Sequence, residues 1–440
     1  MKIEADNGVR VNANVTTTVG DLVVNGDVDN SADGIDSIAF ANGLVMTAGR
    51  DLLLSSATGN MTGAGALTLQ AKRDTVLGSS LANSGALTLI ADSDLDNSGT
   101  VRVAAGQTVA VTGTGLLRAQ SADIDLQGAL SNVAGEVRLQ THSGRTQALG
   151  TATGDWQLDN GEIGRITASL LTIGGAITGP EGGNILVSGV TSGSNGIQSW
   201  TLDAAGPANV GNTAQVQFDP ADSSFRSLTV RAVDGIRVDA NITTTEGGLS
   251  FNPNSNGARE GNDRLTIGAG KTLTSAGALT LTGETTGLGA LGLNAAEGVT
   301  LDGATTVAGN VTIDADTDRN GSGTFSVTSG GLSTAGADVT VTSADINLGV
   351  TPSINAGAGT VSLQVSKDLL PMRVGGENAQ PGGWNLLSAE VQRITAGTLI
   401  VGGTANGLLT VSALSSTNTT NLGEVILRST GNGQGVQVDG

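Results

Sequence analysis

Short apolar segments that recur at 20-residue steps are the feature that most restricts the fold of this chain. The segment GALTL occupies Gly65–Leu69 and again Gly85–Leu89, and GALGL at Gly289–Leu293 is followed by GNVTI at Gly309–Ile313. Such a segment cannot bury its own apolar face, so a fixed step that returns the same apolar pair is typical of a β-solenoid, whose coils stack. Four stacked pairs are expected between neighbouring coils: Leu67 over Leu87, Leu69 over Leu89, Leu291 over Val311 and Leu293 over Ile313.

Alternation of apolar and polar side chains continues along the whole chain. Runs such as LVVNGDV, TVSLQVS and DVTVTSADINL are rich in Val, Leu, Ile and Thr and are separated by Gly, Asn and Asp. This period of two, bounded by turn residues, predicts strands and turns. No run with the period of a helix extends beyond two helical turns. The sequence therefore predicts an all-β fold, a β-solenoid with about 20 residues per coil.

A second, longer repeat divides the chain into two halves. GVRVNANVTTT at Gly8–Thr18 returns as GIRVDANITTT at Gly235–Thr245. We therefore predict two long repeat units of one β-helix, residues 1–227 and residues 228–440, which together form one continuous rod.

The last residues begin a third copy of this repeat. Ile426–Gly440 resembles Leu228–Ala240, so the chain starts and stops inside strand-forming coils. Neither end carries the polar cap that a solenoid needs for solubility. This favours a fragment of a longer array, and a complete protein with degenerate terminal coils is the alternative.

One conspicuous motif occurs once in each half. RITASLLTIGG at Arg165–Gly175 returns as RITAGTLIVGG at Arg393–Gly403, and each copy is preceded nine residues upstream by a tryptophan, Trp156 or Trp384. A catalytic motif needs to occur only once, with its partners nearby. A motif that returns at a fixed station of a long repeat is better interpreted as a marker of how the repeat is built.

Composition and charge exclude several classes of partner. The formal net charge is −19 and the chain contains no run of basic residues, whereas nucleic acids and anionic membranes require a basic face. With no cysteine, the chain forms no disulfide or thiolate metal site. No apolar stretch approaches the 18 residues or so that a membrane-spanning segment needs. We expect no nucleic-acid partner and no membrane insertion of this chain.

The segment Trp156–Gly189 resembles the large filamentous haemagglutinin-type exoproteins of Gram-negative bacteria, which leave the cell by two-partner secretion or as autotransporter passengers. The matching positions are an acidic residue, ITA, a leucine, an IGG-like turn and, in the first copy, GNI.V.G: Glu162, Ile166–Ala168, Leu171, Ile173–Gly175 and Asn184–Gly189, then Glu390, Ile394–Ala396, Leu399 and Val401–Gly403. The resemblance implies a right-handed parallel β-helix, an extracellular or cell-surface location, and adhesion or filament building.

The same resemblance has one departure. The N-terminal secretion domain of that family carries an NPNG-type motif, and the nearest text here is FNPNSNG at Phe251–Gly257, in the middle of the chain. We interpret it as a loop, which leaves this chain without that secretion domain.

A polysaccharide-acting β-helix enzyme, a lyase or hydrolase, is the first alternative function. Such an enzyme gathers carboxylates with Arg, Lys or His on one face of neighbouring coils. The chain has only 21 basic residues, and its single histidine, His142, has Ser366 as its counterpart in the second unit. No Ser-His-Asp set can be assembled from residues present in both units. We therefore assign no catalytic residue and no cofactor, and predict that the chain is not an enzyme.

The best candidate for a metal site is acidic. DSDLDNSG and DADTDRNGSG share a register in which three residues of the first turn, Asp92, Asp94 and Asp96, match three of the second, Asp316, Asp318 and Asn320. Oxygen ligands at alternate positions of a turn would suit calcium. The alternative, which we favour, is a turn whose carboxylates accept hydrogen bonds from their own backbone. No metal ligand is therefore assigned, and calcium remains an open alternative.

The two motif tryptophans allow two interpretations. Trp156 and Trp384 would stack on sugar rings if exposed, or would anchor an irregular coil if buried, and their position beside apolar strands favours anchoring. Taken together, the sequence predicts a structural rod or stalk segment of a secreted bacterial surface filament or adhesin. Its expected partners are proteins or glycans on a host or neighbouring cell, and a self-assembling extracellular filament or sheath subunit is the remaining alternative.

Overall fold

The computed structural model describes residues 1–141, 144–175, 183–191, 196–204, 213–258, 261–351, 353–431 and 433–439. Strands make up 53% and helices 2% of the structure, which confirms the predicted all-β fold. The chain divides into two compact units, Met1–Gln217 with Ser224–Arg226, and Phe218–Ser223 with Ser227–Gly440.

The strands are short and follow one another closely. In chain order those up to residue 204 are Lys2–Glu4, Val9–Val11, Val15–Thr16, Leu22–Asn25, Ile38–Phe40, Leu44–Ala48, Leu52–Ser55, Met61–Gly63, Leu67–Ala71, Thr75–Leu77, Leu81–Asn83, Leu87–Ile90, Thr100–Val103, Thr108–Val111, Leu117–Gln120, Asp123–Leu126, Ala129–Gln140, Gln147–Gly150, Trp156–Leu158, Ile166–Gly174, Ile185–Ser188 and Gly196–Ala204. Those that follow are Val216–Phe218, Ser223–Phe225, Leu228–Ala232, Ile236–Val238, Ile242–Thr244, Leu249–Asn252, Arg264–Ile267, Lys271–Ser275, Leu279–Thr282, Glu284–Gly287, Leu291–Ala295, Val299–Val307, Val311–Asp314, Thr324–Thr334, Val339–Ser343, Asp345–Leu348, Ser353–Asn355, Thr360–Val365, Met372–Gly375, Trp384–Leu386, Ile394–Gly403, Leu409–Ser412, Leu422–Ser429 and Val436–Asp439. The described helices are single turns, Asn160–Ile163 and Ser388–Val391.

Strands of successive coils pair in parallel, which identifies a parallel β-helix. The four stacked pairs predicted from the 20-residue step are all confirmed: Leu67 opposite Leu87, Leu69 opposite Leu89, Leu291 opposite Val311 and Leu293 opposite Ile313. Every one of these side chains is buried. Each ladder therefore stacks like on like, and the interior forms only because coils lie on one another.

The length of a coil varies more than the sequence repeat indicates. Leu22 pairs with Leu52, a step of 30 residues, and Val361 pairs with Leu399, a step of 38. The 20-residue step is therefore the shortest coil and not the general one. Extra residues enter as turns at the corners, where they leave the ladder register intact. The helical turn Ser388–Val391 lies inside the longest of these steps.

The core is a narrow column of aliphatic side chains with a few large rings. Along strand Leu67–Ala71, buried and partly exposed residues alternate, as expected when one face of a strand points inward. All three tryptophans of the sequence are fully buried. In the first unit, Trp200 packs edge-on against Phe225 with ring centroids 5.3 Å apart. No helix in the described part of the chain is long and apolar enough to cross a membrane.

Candidate functional site

The first acidic turn, residues 92–99, follows strand Leu87–Ile90 and is organised around one buried carboxylate. Asp92 is fully buried and has a positive φ of 63°. Its Oδ1 accepts hydrogen bonds from the backbone N–H groups of Asp96 at 2.8 Å and Asn97 at 3.2 Å. The turn therefore closes on its own backbone, as the favoured interpretation predicted.

The same turn also brings three carboxylates together. Oxygen atoms of Asp92, Asp94 and Asp96 lie within 4.8 Å of one another, and only Asp92 is buried. Lys72 Nζ lies 3.9 Å from Asp94 Oδ2 and offsets part of the negative charge. Oxygen ligands at this spacing are chemically suited to calcium, but the hydrogen bonds of Asp92 explain the turn without an ion. Calcium at this turn therefore stays a prediction.

The second acidic turn is built differently. Asp316 is fully buried, and its Oδ2 accepts hydrogen bonds from Gly321 N at 3.0 Å and from Ser366 Oγ at 2.5 Å. Asp318 Oδ2 accepts from Asn320 Nδ2 at 2.7 Å, and Arg319 pairs with the preceding aspartate of the turn. A close group of three carboxylates is absent here, among the residues that the structure describes. The two turns thus share a sequence register but not a ligand arrangement.

Ser366 shows what the position matched to histidine does in the second unit. It donates to the buried Asp316 carboxylate and so helps to hold the acidic turn. His142 itself lies outside the described residues.

The motif tryptophans are packing residues. Trp156 and Trp384 each have no exposed surface, and Trp384 Nε1 donates to Ser343 Oγ at 3.2 Å. Because stacking on a sugar needs an exposed ring face, neither ring can serve as a glycan platform in this structure. The anchoring interpretation of both residues is confirmed.

A single helical turn follows each tryptophan strand and carries the acidic residue of the motif. In Asn160–Ile163, Asp159 Oδ1 accepts from Glu162 N at 2.8 Å, while Glu162 Oε2 accepts from Asp159 N at 3.0 Å. In the second unit, Leu387 replaces the capping aspartate, and only the return bond remains, from Leu387 N to Glu390 Oε2 at 2.8 Å. The glutamate thus satisfies an N–H group that the start of a helix leaves unpaired.

The second oxygen of each glutamate reaches a strand of the preceding coil. Glu162 Oε1 accepts from Leu126 N at 2.9 Å, and Arg165 Nη1 donates to Leu126 O at 2.7 Å. One Glu–Arg pair therefore binds both the N–H and the C=O of the last residue of strand Asp123–Leu126.

The second unit repeats this clamp with nearly the same geometry. Glu390 Oε1 accepts from Leu348 N at 2.8 Å, and Arg393 Nη1 donates to Leu348 O at 2.7 Å. We call each set, Glu162–Arg165–Leu126 and Glu390–Arg393–Leu348, a strand-end clamp. The motif at Arg165 and Arg393 is therefore a structural joint that satisfies the polar groups of a strand end.

Burial acts on the clamp carboxyls. It raises the pKa of Glu390 above its ordinary value, although hydrogen bonds from the N–H groups of Leu387 and Leu348 act in the opposite direction. The pKa of Glu162 is raised for the same reason. Asp345, which begins the clamped strand of the second unit, also has a pKa raised by burial. Sequence reasoning identified the repeated motif but missed the contact of Glu and Arg with a strand 36 to 45 residues upstream.

Surface depressions offer little to an acid–base mechanism. One in the first unit is lined by Arg10, Asn12, Phe40 and Thr62 among others, and carries no carboxylate. One in the second unit is lined by polar residues that again include no carboxylate or histidine: Lys271, Thr272, Asn294, Asn310 and Thr312. Neither depression favours the enzyme alternative, because general acid–base catalysis needs a titratable group within reach of the substrate.

Comparison with family models, with curated proteins and with solved structures found no match.

Proposed function

We propose that this chain is a structural stalk segment of a secreted bacterial surface filament or adhesin, which promotes attachment by extension and display. Its place of action is then outside the cell, and its targets are proteins or glycans on a host or neighbouring cell. The observation that carries the proposal is the recurrence of the strand-end clamp, at Leu126 and again at Leu348. A feature repeated for construction suits a spacer, whereas a catalytic set needs to occur once.

Two further observations support a spacer. Parallel ladders with buried aliphatic side chains run through each unit, and such ladders resist bending because every coil is hydrogen-bonded to the next. The net charge of −19 disfavours sideways association of exposed strands, which like charge opposes.

The spacer function can be tested on polymer-coated beads. The chain is anchored at one end beneath a dense polymer brush and carries a short epitope tag at the other end. We expect an antibody to reach the tag through the brush, and not to reach a tag on a compact globular control of similar mass. A tag that stays hidden on this chain contradicts the proposal.

The same preparation separates the alternatives. Release of products from acidic polysaccharides by the chain alone would favour the β-helix enzyme. Light scattering that grows with protein concentration would favour the self-assembling filament or sheath subunit. Adhesion of chain-coated beads to cells, compared with beads bearing the globular control, measures whether the segment binds a surface receptor itself.

A further inference from the structure

Two aspartates are buried side by side in the first unit, outside the acidic turns described above. Asp27 follows strand Leu22–Asn25 and is fully buried, and Asp36 precedes strand Ile38–Phe40 and is 4% exposed. The Asp27 backbone N–H donates to Asn25 Oδ1 at 3.1 Å, which fixes the start of the turn between the two strands. Neither residue belongs to a clamp or to the motif at Arg165.

Thr58 of a later coil joins the two carboxylates. Its Oγ1 lies 2.7 Å from Asp27 Oδ2 and 3.3 Å from Asp36 Oδ2, and its backbone N–H donates to Asp27 Oδ2 at 2.8 Å. A threonine hydroxyl has one proton, so it can donate to only one carboxylate at a time. The two acids are therefore close neighbours, and their Oδ2 atoms share a single hydroxyl donor.

The remaining oxygens of this pair lack compensation. Asp27 Oδ1 and Asp36 Oδ1 are both buried and accept no hydrogen bond within the described part of the chain. The ion pairs formed by the described residues include neither aspartate. Hydrogen bonding from Thr58 lowers the pKa of Asp27, so that carboxyl is held in its charged form. Two adjacent buried carboxylates repel each other unless a positive charge or a proton lies between them.

We propose that Asp27 Oδ1 and Asp36 Oδ1 are ligands of a bound calcium ion. The donor set is made of oxygen only, which hard cations prefer, and it contains no histidine or thiolate that would select zinc or copper. Calcium accepts an irregular set of six to eight oxygens, whereas magnesium requires near-ideal octahedral geometry. Water molecules complete the coordination from the side of the exposed residues 29–35 of the same turn.

The second unit contains a natural comparison for this site. Residues 227 positions later in the aligned repeat are Asn254 for Asp27 and Asp263 for Asp36. Asn254 makes the same local turn, because its N–H donates to Asn252 Oδ1 at 3.2 Å. Its Nδ2 donates to Ala258 O at 2.7 Å, a bond that a carboxylate could not make. An amide in place of the first charge lets the turn form with one carboxylate, so Asp27→Asn should fold.

Calcium binding to the full chain tests the assignment. The wild-type chain, Asp27→Asn, Asp36→Asn and the control Asp94→Asn, which alters the other acidic turn, are stripped with EDTA and titrated with CaCl2 by calorimetry. We expect both Asp27→Asn and Asp36→Asn to lose one bound calcium per chain, and Asp94→Asn to retain it. We also expect CaCl2 to raise the unfolding temperature of the wild type more than that of Asp27→Asn.

Several results would overturn the proposal. One is equal calcium binding by the wild type, Asp27→Asn and Asp36→Asn. Another is a wild-type chain that retains no calcium after dialysis, measured directly by mass spectrometry of the metal, which needs no variant to fold. A third is wild-type stability that ignores CaCl2 but rises when the pH is lowered from 7 to 5, with no such rise in Asp36→Asn. That result would assign a shared proton to the pair.

Discussion

The carboxylate of Glu390 accepts a hydrogen bond from the backbone N–H of Leu348, 42 residues earlier in the chain, at 2.8 Å. Arg393, from the same motif, donates to the carbonyl of Leu348 at 2.7 Å. A strand that ends inside a solenoid leaves one N–H and one C=O without a ladder partner, and burial of either group unpaired is costly. The Glu–Arg spacing of three residues matches the two groups that one terminal residue exposes. The motif is therefore required wherever a coil departs from the ladder.

Removal of the clamp carboxylate should destabilise the second unit. In Glu390→Ala, the N–H groups of Leu348 and Leu387 lose their acceptor, which we expect to cost about 1–3 kcal/mol. Hydrogen exchange measured residue by residue should show faster exchange of the Leu348 amide. The exposed Glu377 provides a matched control, since Glu377→Ala should change neither quantity. Unchanged protection of the Leu348 amide in Glu390→Ala would show that the clamp does not hold the strand end.

The predictable part of this fold is the part that sequence periodicity encodes. Leu67 and Leu87 are separated by a bare coil, so their stacking follows directly from the repeated segment. The step of 38 residues between Val361 and Leu399 has no such signal, because residues inserted at a corner do not disturb the strands they connect. Corner insertions therefore hide most coils from a search for a fixed period.

The sites were harder to predict than the strands. Asp27 and Asp36 meet at Thr58, 31 and 22 residues further along the chain, and no local motif joins these three residues. In contrast, the turn at Asp92 closes on residues four and five positions later, so its hydrogen bonding could be anticipated from composition. Long-range polar contacts between coils depend on how each corner is built, which the residue pattern alone does not determine.

The clamp should make the second unit less stable as the pH rises. Because burial raises the pKa of Glu390, the folded state binds a proton more tightly than the unfolded state does. This contribution is complete below the ordinary glutamate pKa and is lost as the pH rises through the higher pKa of the folded state. Glu390→Gln removes this titration. Unfolding measured between pH 4 and pH 7.5 should therefore show that wild-type stability, relative to Glu390→Gln, declines with increasing pH.

The nearby Asp345 serves to check the origin of this effect. Its negative charge contributes to the raised pKa of Glu390, so Asp345→Asn should shift the wild-type transition to lower pH. A wild-type advantage over Glu390→Gln that grows with pH would mean that the hydrogen bonds to the carboxylate outweigh its burial.

The buried tryptophans should matter for stability and not for glycan binding. Trp384→Ala removes a fully buried ring and its bond to Ser343, which we expect to cost about 3–5 kcal/mol. Trp384→Phe keeps most of the ring volume and should cost less. Tryptophan fluorescence of the wild type should stay at short wavelength when soluble glycans are added. A glycan-dependent change that disappears in Trp384→Phe would contradict the packing role.

The acidic turn at Asp92 should depend on backbone hydrogen bonds more than on metal. In the presence of EDTA, Asp92→Ala removes the acceptor for the N–H groups of Asp96 and Asn97, and we expect a loss of about 1–2 kcal/mol, similar to the loss of a helix cap. Asp94→Asn is the matched control, because Asp94 is exposed and its contact with Lys72 is long. It should leave the unfolding temperature in EDTA unchanged. If Asp92→Ala and Asp94→Asn instead cost stability only when calcium is present, the three carboxylates act together as a metal site.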